Sequence, residues 1–231
     1  MKLVLLLGLD GTGLRFEPLC RELSSFIQPV TVDYPSDRET SYDELLSQTL
    51  PKLPTTEPYI LLGESYGGPL ALKIAAVRPA GLCGLILSAS FVTCPHGYVP
   101  KWASHLVVPA LFYPAPLLAK LKAVVGRYST PEIQALISRG LATVSPAVIA
   151  ARVREVITID VSKELVACPV PILYIQATHD YVVPASNLVQ IQELRPDIRV
   201  IRVEAPHMIL QTQAARSAEI IAGFVNEQRK I

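Results

Sequence analysis

Charge is scarce in this chain and nearly balanced. Only 18% of its 231 residues are Asp, Glu, Lys or Arg, and 21 basic against 20 acidic residues leave a net charge of +1. Such a surface has no overall attraction for nucleic acid, so no nucleic-acid partner is expected. Cysteine is also sparse. Cys20, Cys83, Cys94 and Cys168 show none of the short spacings that ligate metal, and they read as reduced, mostly buried thiols. Long apolar runs are missing as well. The longest uncharged stretch, Pro79 to Pro100, is broken by Pro95 and His96 and reads as a buried strand plus loop. The opening Met1 to Leu7 is short, meets Asp10-Gly11-Thr12-Gly13 and has no small-residue cleavage site, so it reads as a first strand rather than a leader. Neither repeats nor low-complexity segments occur. A cytoplasmic location without stable membrane insertion is the expectation.

What is present is apolar: half of the residues are hydrophobic, enough for one substantial core. Leu3–Leu7, Pro29–Asp33, Tyr59–Leu62, Leu82–Leu87, Val170–Ala177 and Ile198–Glu204 are short runs of the kind buried in a parallel sheet. Between them lie helical patterns over 16–26, 41–50, 69–77, 185–194 and 212–227, the second opened by Ser41 with Glu44 three residues on, a capping box. This alternation predicts an α/β fold, a doubly wound, mostly parallel sheet. It breaks between Val92 and Leu165, where Pro-punctuated helices are expected over 102–106, 116–125, 131–141 and 147–157. The reading is therefore a core of residues 1–91 and 166–231, with 92–165 inserted as a helical cap over the strands' carboxyl ends.

One stretch points to chemistry. In Gly63-Glu64-Ser65-Tyr66-Gly67-Gly68 a strand runs into a sharp turn and a helix, with Ser65 at the apex. Such a turn strains the serine's backbone and brings neighbouring chain close to the residues two before and two after it, where glycine has no Cβ to clash. A serine hydroxyl needs a base. Of the four histidines, His207 directly follows the last strand run and can reach the same sheet edge. The base needs a third group to hold its tautomer, and Asp180, after the fifth run, is the candidate. The backbone N–H of Tyr66 is one expected donor to a developing oxyanion, and the 10–13 loop should supply the other. That loop lacks the third glycine of a dinucleotide fingerprint and the Gly-Lys-Ser/Thr of a P-loop, so no nucleotide is expected. No metal or organic cofactor is required.

Together these segments resemble the α/β-hydrolase family. Gly63–Gly68 looks like its nucleophile elbow, the segment from Asp180 to Pro184 like its acid loop, and Pro206-His207 with Leu210-Gln211 like its histidine loop. The resemblance covers nearly the whole chain. It implies a sheet order of 2-1-3-4-5-6 and a minimal six-strand core without the family's two leading strands. The loop Leu9-Asp10-Gly11-Thr12-Gly13 takes the place of the family's His-Gly oxyanion loop, with Asp10 where His is usual. The carry-over gives the second oxyanion N–H to Thr12, with Leu9 and Asp10 also open. The implied activity is cleavage of a carboxylic ester or thioester with an apolar acyl group, with acyl transfer, a lyase step, C–C hydrolysis or a non-catalytic receptor as rivals.

The cap is greasy and basic. Trp102 and Phe112 are expected to meet substrate or a partner, and residues 92–159 carry seven basic side chains against two acidic ones. This layout is similar to that of the pimeloyl-[acyl-carrier protein] methyl ester esterases, in which cap arginines grip the carrier. It implies an acidic acyl carrier protein as partner, with Arg139, Arg152 and Arg154 as the candidate contacts.

Overall fold

A computed structural model of the chain describes residues 1–113 and 125–229. Among them six strands form one sheet in the order β2-β1-β3-β4-β5-β6. The strands are β1 (Lys2–Leu6), β2 (Gln28–Val32), β3 (Tyr59–Glu64), β4 (Leu82–Ser88), β5 (Ile172–Ala177) and β6 (Arg199–Val203). Every pairing is parallel. β1 and β3 are aliphatic on both faces because helices cover both, and Leu3 to Leu6 and Tyr59 to Leu62 have no exposed surface. The edge strands β2 and β6 bury far less of their length.

The described helices are α1 (Glu17–Glu22), α2 (Tyr42–Thr49), α3 (Gly67–Ala76), α4 (Pro131–Ala142), α5 (Pro146–Thr158), α6 (Ser162–Ala167), α7 (Ser186–Leu194), α8 (Ile209–Thr212) and α9 (Ala214–Gln228). The expected capping box at α2 is formed. Ser41 Oγ accepts from the Glu44 N–H at 3.2 Å, and Glu44 Oε2 accepts from the Ser41 N–H at 2.7 Å. Two helices depart from their patterns. The first begins as a 3-10 turn over Gly13–Phe16 and ends at Glu22, where Leu23 turns to extended backbone. The last is divided at Gln213 into α8 and α9.

The insert leaves the sheet at Val92 and returns at Val161, whose N–H donates to the Val92 carbonyl at 2.8 Å, while Thr93 and Asp160 form an antiparallel bridge. The neck thus lies ahead of the expected boundary at 165. α6 belongs with the sheet's outer layer, because Val161 and Leu165 are buried in the main core and α6 packs on α3 and α7. Within the insert, Lys101–Leu106 and Pro109–Phe112 are 3-10 turns, and α4 and α5 fill the expected positions. The expected helix over 116–125 lies, but for Val125, outside the described residues, together with Lys120 and Lys122. No single described helix is long and apolar enough to cross a membrane.

Two substitutions separate local from core contributions. Ser41→Ala removes the cap and should cost about 1 kcal/mol. Leu62→Ala, at a position with no exposed surface, should cost roughly 2–5 kcal/mol. Urea unfolding of both variants measures the difference, and equal losses would contradict this ordering.

Candidate active site

Ser65 occupies the turn between β3 and α3 with φ 50°, in the left-handed region that L-residues avoid. The turn is pinned on both sides. The Ser65 N–H donates to the Ser88 carbonyl at 2.9 Å, and the Ser65 carbonyl accepts from the Gly68 N–H at 3.0 Å and from Ser90 Oγ at 2.9 Å. The glycine spacing has the steric cause read from the sequence: a Cβ on Gly63 would lie 2.7 Å from the Gly67 carbonyl oxygen.

The structure brings His207 and Asp180 to this turn. The β5–β6 pairing continues past the strand ends, with Thr178 N–H donating to the Val203 carbonyl and His179 N–H to the Ala205 carbonyl, each at 3.0 Å. The two following loops are therefore held side by side. Asp180 Oδ1 accepts from the N–H groups of Val182 and Val183, both at 2.8 Å, which fixes the carboxylate. Its Oδ2 lies 2.8 Å from His207 Nδ1, and His207 Nε2 lies 2.9 Å from Ser65 Oγ. A carboxylate only accepts, so Nδ1 donates to it and the neutral ring keeps its lone pair on Nε2, facing the serine hydroxyl. Both partners are shielded: the side chains of His207 and Asp180 are 11% and 4% exposed.

A cavity of about 340 Å³ opens over this group. Its floor is the β1 and β3 ends, with Gly8, Leu9, Asp10, Ser65 and Tyr66. Its roof comes from the cap, with Leu141, Ile149, Val153 and Val156. Neither the Leu9 N–H nor the Tyr66 N–H donates to another described residue. Thr12 is displaced from its expected place. The chain turns as soon as β1 ends, with Gly11 N–H donating to the Gly8 carbonyl at 3.0 Å, so Leu9 faces the cavity and Thr12 lies beyond it. The Thr12 hydroxyl instead donates to Asp10 Oδ2 at 3.2 Å. Asp10 lines the cavity as a buried carboxylate paired with Arg15 at 2.8 Å.

The cap expectations are corrected in several places. Trp102 is 64% exposed and Phe112 packs on the small apolar cluster formed by Val144, Val148 and Ile149; neither lines the cavity. Arg152 has no exposed surface and donates to the Leu9 and Pro35 carbonyls, so it cannot face a partner. Arg139 pairs with Glu17 at 3.0 Å and Arg154 with Glu39 at 2.8 Å. These arginines fasten the cap to the core instead of standing free to grip a carrier.

Sequence reasoning missed the aliphatic roof and two polar groups. Ile149, Val153 and Val156 recur at helical spacing, a signal available in the sequence. Arg15 and Glu64 also line the cavity. Glu64 is buried and accepts from Gln211 Nε2 at 2.9 Å. Burial pushes its pKa up, against the pull of the Gln211 bond, Arg15 and His207. Among the described residues, no three His, Cys, Asp or Glu side chains are grouped to hold a metal ion.

The sheet order, the strained turn after β3 and the insert over the strand ends define an α/β-hydrolase fold. The chain belongs to the family described as serine aminopeptidase, S33, whose model matches residues 30–197, and it is a hydrolase of that family. Solved structures agree on the fold. A bromoperoxidase from Bacillus anthracis superposes with a TM-score of 0.84 at 18% identity, over 97% of this chain and 91% of that one. A thermophilic esterase from Thermogutta terrifontis also gives 0.84, at 17% identity over 99% and 90%. An enol-lactonase from Burkholderia xenovorans LB400 gives 0.79, at 17% identity over 97% and 91%. No curated protein matches the chain.

Glu64 gives this site a pH signature. Its folded pKa is raised above the ordinary 4.5, so its contribution to stability is full below that value and is lost as pH rises toward the folded pKa. Glu64→Gln keeps the shape and removes the titration. The variant should match wild type near pH 4 and melt higher than wild type at neutral pH. Thermal unfolding across pH 4 to 8 measures this, and parallel curves would show that the Glu64 pKa is not raised on folding.

Proposed function

We propose that the chain is a serine hydrolase that cleaves a carboxylic ester or acyl thioester with an apolar acyl group. The observation that carries this reading is the line from Asp180 through His207 to Ser65 Oγ, with steps of 2.8 and 2.9 Å, opening into an aliphatic-roofed cavity. Ser65 Oγ attacks the carbonyl carbon as His207 Nε2 takes its proton. Asp180 holds the ring's tautomer and stabilises the imidazolium. The carbonyl oxygen becomes an oxyanion facing the N–H groups of Leu9 and Tyr66. Collapse of the tetrahedral intermediate breaks the bond to the leaving alcohol or thiol, which takes the proton from His207. Water, deprotonated by the same histidine, then attacks the acyl-enzyme, releasing the acid and restoring Ser65.

The apolar roof supports a hydrocarbon acyl group: each methylene removed from water contributes about 0.8 kcal/mol. A peptidase acting at a free amino terminus needs a carboxylate for the substrate's ammonium. The two acids in the cavity are already engaged, Asp10 by Arg15 and Glu64 by Gln211.

A fluorophosphonate probe should label the wild type and leave Ser65→Ala unlabelled. Asp180→Asn should lower kcat by roughly 10³–10⁴-fold through the wrong histidine tautomer. A folded wild type that stays unlabelled would remove Ser65 as nucleophile. A panel of p-nitrophenyl esters, acyl thioesters and an aminoacyl p-nitroanilide then ranks the bond types. Faster turnover of the anilide than of every ester would replace this reading with a peptidase, and added alcohol in the ester assays reveals transfer.

A further inference from the structure

Arg152 is a fully buried cation that the proposed reaction does not use directly. It projects from α5 of the cap into the loop below. One Nη donates to the Leu9 carbonyl at 2.8 Å and the other to the Pro35 carbonyl at 2.7 Å. Its guanidinium carbon lies 5.6 Å from the Tyr34 ring centre and 6.0 Å from that of Tyr66. Gly11 makes room for it: a Cβ there would stand 2.5 Å from Arg152 Nη1, and Gly11 has φ 68°.

The contacts converge on Leu9 and Tyr66, two cavity-lining residues whose N–H groups donate to no other described residue. The Leu9 N–H belongs to the Gly8–Leu9 peptide, whose carbonyl accepts from the Gly11 N–H at 3.0 Å. The next peptide, Leu9–Asp10, is held by Arg152. Both peptides flanking the Leu9 Cα are thereby fixed, and the N–H has one direction left. Tyr66 is held by Arg152 near its ring, by Tyr42 stacked at 4.5 Å, and by the Tyr42 hydroxyl donating to the Tyr66 carbonyl at 2.9 Å. The Tyr34 hydroxyl accepts from the Leu7 N–H at 2.9 Å, fixing the chain just before the turn.

The geometry points to Arg152 as a positioning residue for the oxyanion hole, a cap side chain that orients the Leu9 and Tyr66 donors on the core. This assignment rests on the serine-hydrolase reading above. A fastener that only ties cap to core changes stability. A positioning residue changes the transition state, because a donor moved by a fraction of an ångström still lets substrate bind but loses the developing charge.

Kinetics on p-nitrophenyl butyrate with wild type, Arg152→Lys, Tyr42→Phe and Glu39→Gln test this, together with inhibition by butylboronic acid, which forms a tetrahedral adduct on serine. Lysine keeps the charge but loses the fork that spans two carbonyls. Arg152→Lys should lower kcat about 10- to 100-fold with KM within about threefold, and weaken the boronate by the same factor, since losing one donor outright costs roughly 10²–10³. Glu39→Gln loosens the neighbouring cap-to-core ion pair with Arg154 and should lower the melting temperature while leaving kcat unchanged. If Arg152→Lys loses stability yet keeps kcat and boronate affinity within about twofold, Arg152 is a fastener and the inference is overturned. A kcat loss in Glu39→Gln equal to that of Arg152→Lys overturns it too, by assigning the effect to cap seating in general. Should Arg152→Lys fail to fold, Tyr42→Phe decides: it removes one hydroxyl, and an unchanged kcat overturns the inference while a fall of about threefold or more at constant KM supports it. Failure of the underlying reading shows earlier, as wild-type turnover that survives Ser65→Ala, and it overturns both.

Discussion

A serine held at φ 50° costs about 1–3 kcal/mol, and the fold around β3 is arranged to hold it there. The strain persists because three hydrogen bonds hold the turn: one from Ser65 to Ser88 at the end of β4, and two received by Ser65 from Gly68 and Ser90. It also needs the chain to pass itself closely at Gly63 and Gly67, which any side chain would prevent. Relaxing the turn would carry the hydroxyl away from the 2.9 Å approach to His207 Nε2. The parallel sheet is what makes this approach possible, because it sends the ends of β3, β5 and β6 to one edge. Backbone pairing that continues beyond β5 and β6 then fixes the relative position of the two loops carrying Asp180 and His207.

Much of this was legible in the sequence because each part carried a local mark. Aliphatic runs bounded the strands, Ser41 and Glu44 marked a helix start, and Ser65, Asp180 and His207 each followed a run by a few residues. The first loop was harder. An unbroken aliphatic stretch from Leu3 to Leu7 gives no mark of where β1 stops, so the register of the turn after it stayed open. The turn closes at once, between Gly8 and Gly11, and this turns Leu9 rather than Thr12 to the cavity.

The cap arginines failed for a different physical reason. A charged side chain on a helix is ordinarily solvated, so sequence alone assigns it to the surface. Arg152 is buried because its acceptors are backbone carbonyls at Leu9 and Pro35, 143 and 117 residues away along the chain. No window along the chain shows such a pairing. A faint local sign does exist: Ala150 and Ala151 precede Arg152, and small residues let a helix come close to what it packs on.

Helix α5 therefore has two duties on neighbouring faces. Ile149, Val153 and Val156 roof the cavity, while Arg152, between them in sequence, reaches through to the core loop. A rigid helix cannot move one set without the other. If an acyl group too bulky for the roof pushed α5 outward, it would also draw the guanidinium off the Leu9 carbonyl. A buried cation deprived of its acceptors is strongly destabilising, so the seated position is the one the helix returns to. On the proposed reading, acyl selection and the placement of the oxyanion donors would then be one mechanical property of the cap. There, a substrate that fits the roof would leave the donors in place, and one that does not fit would meet a site with a weakened hole.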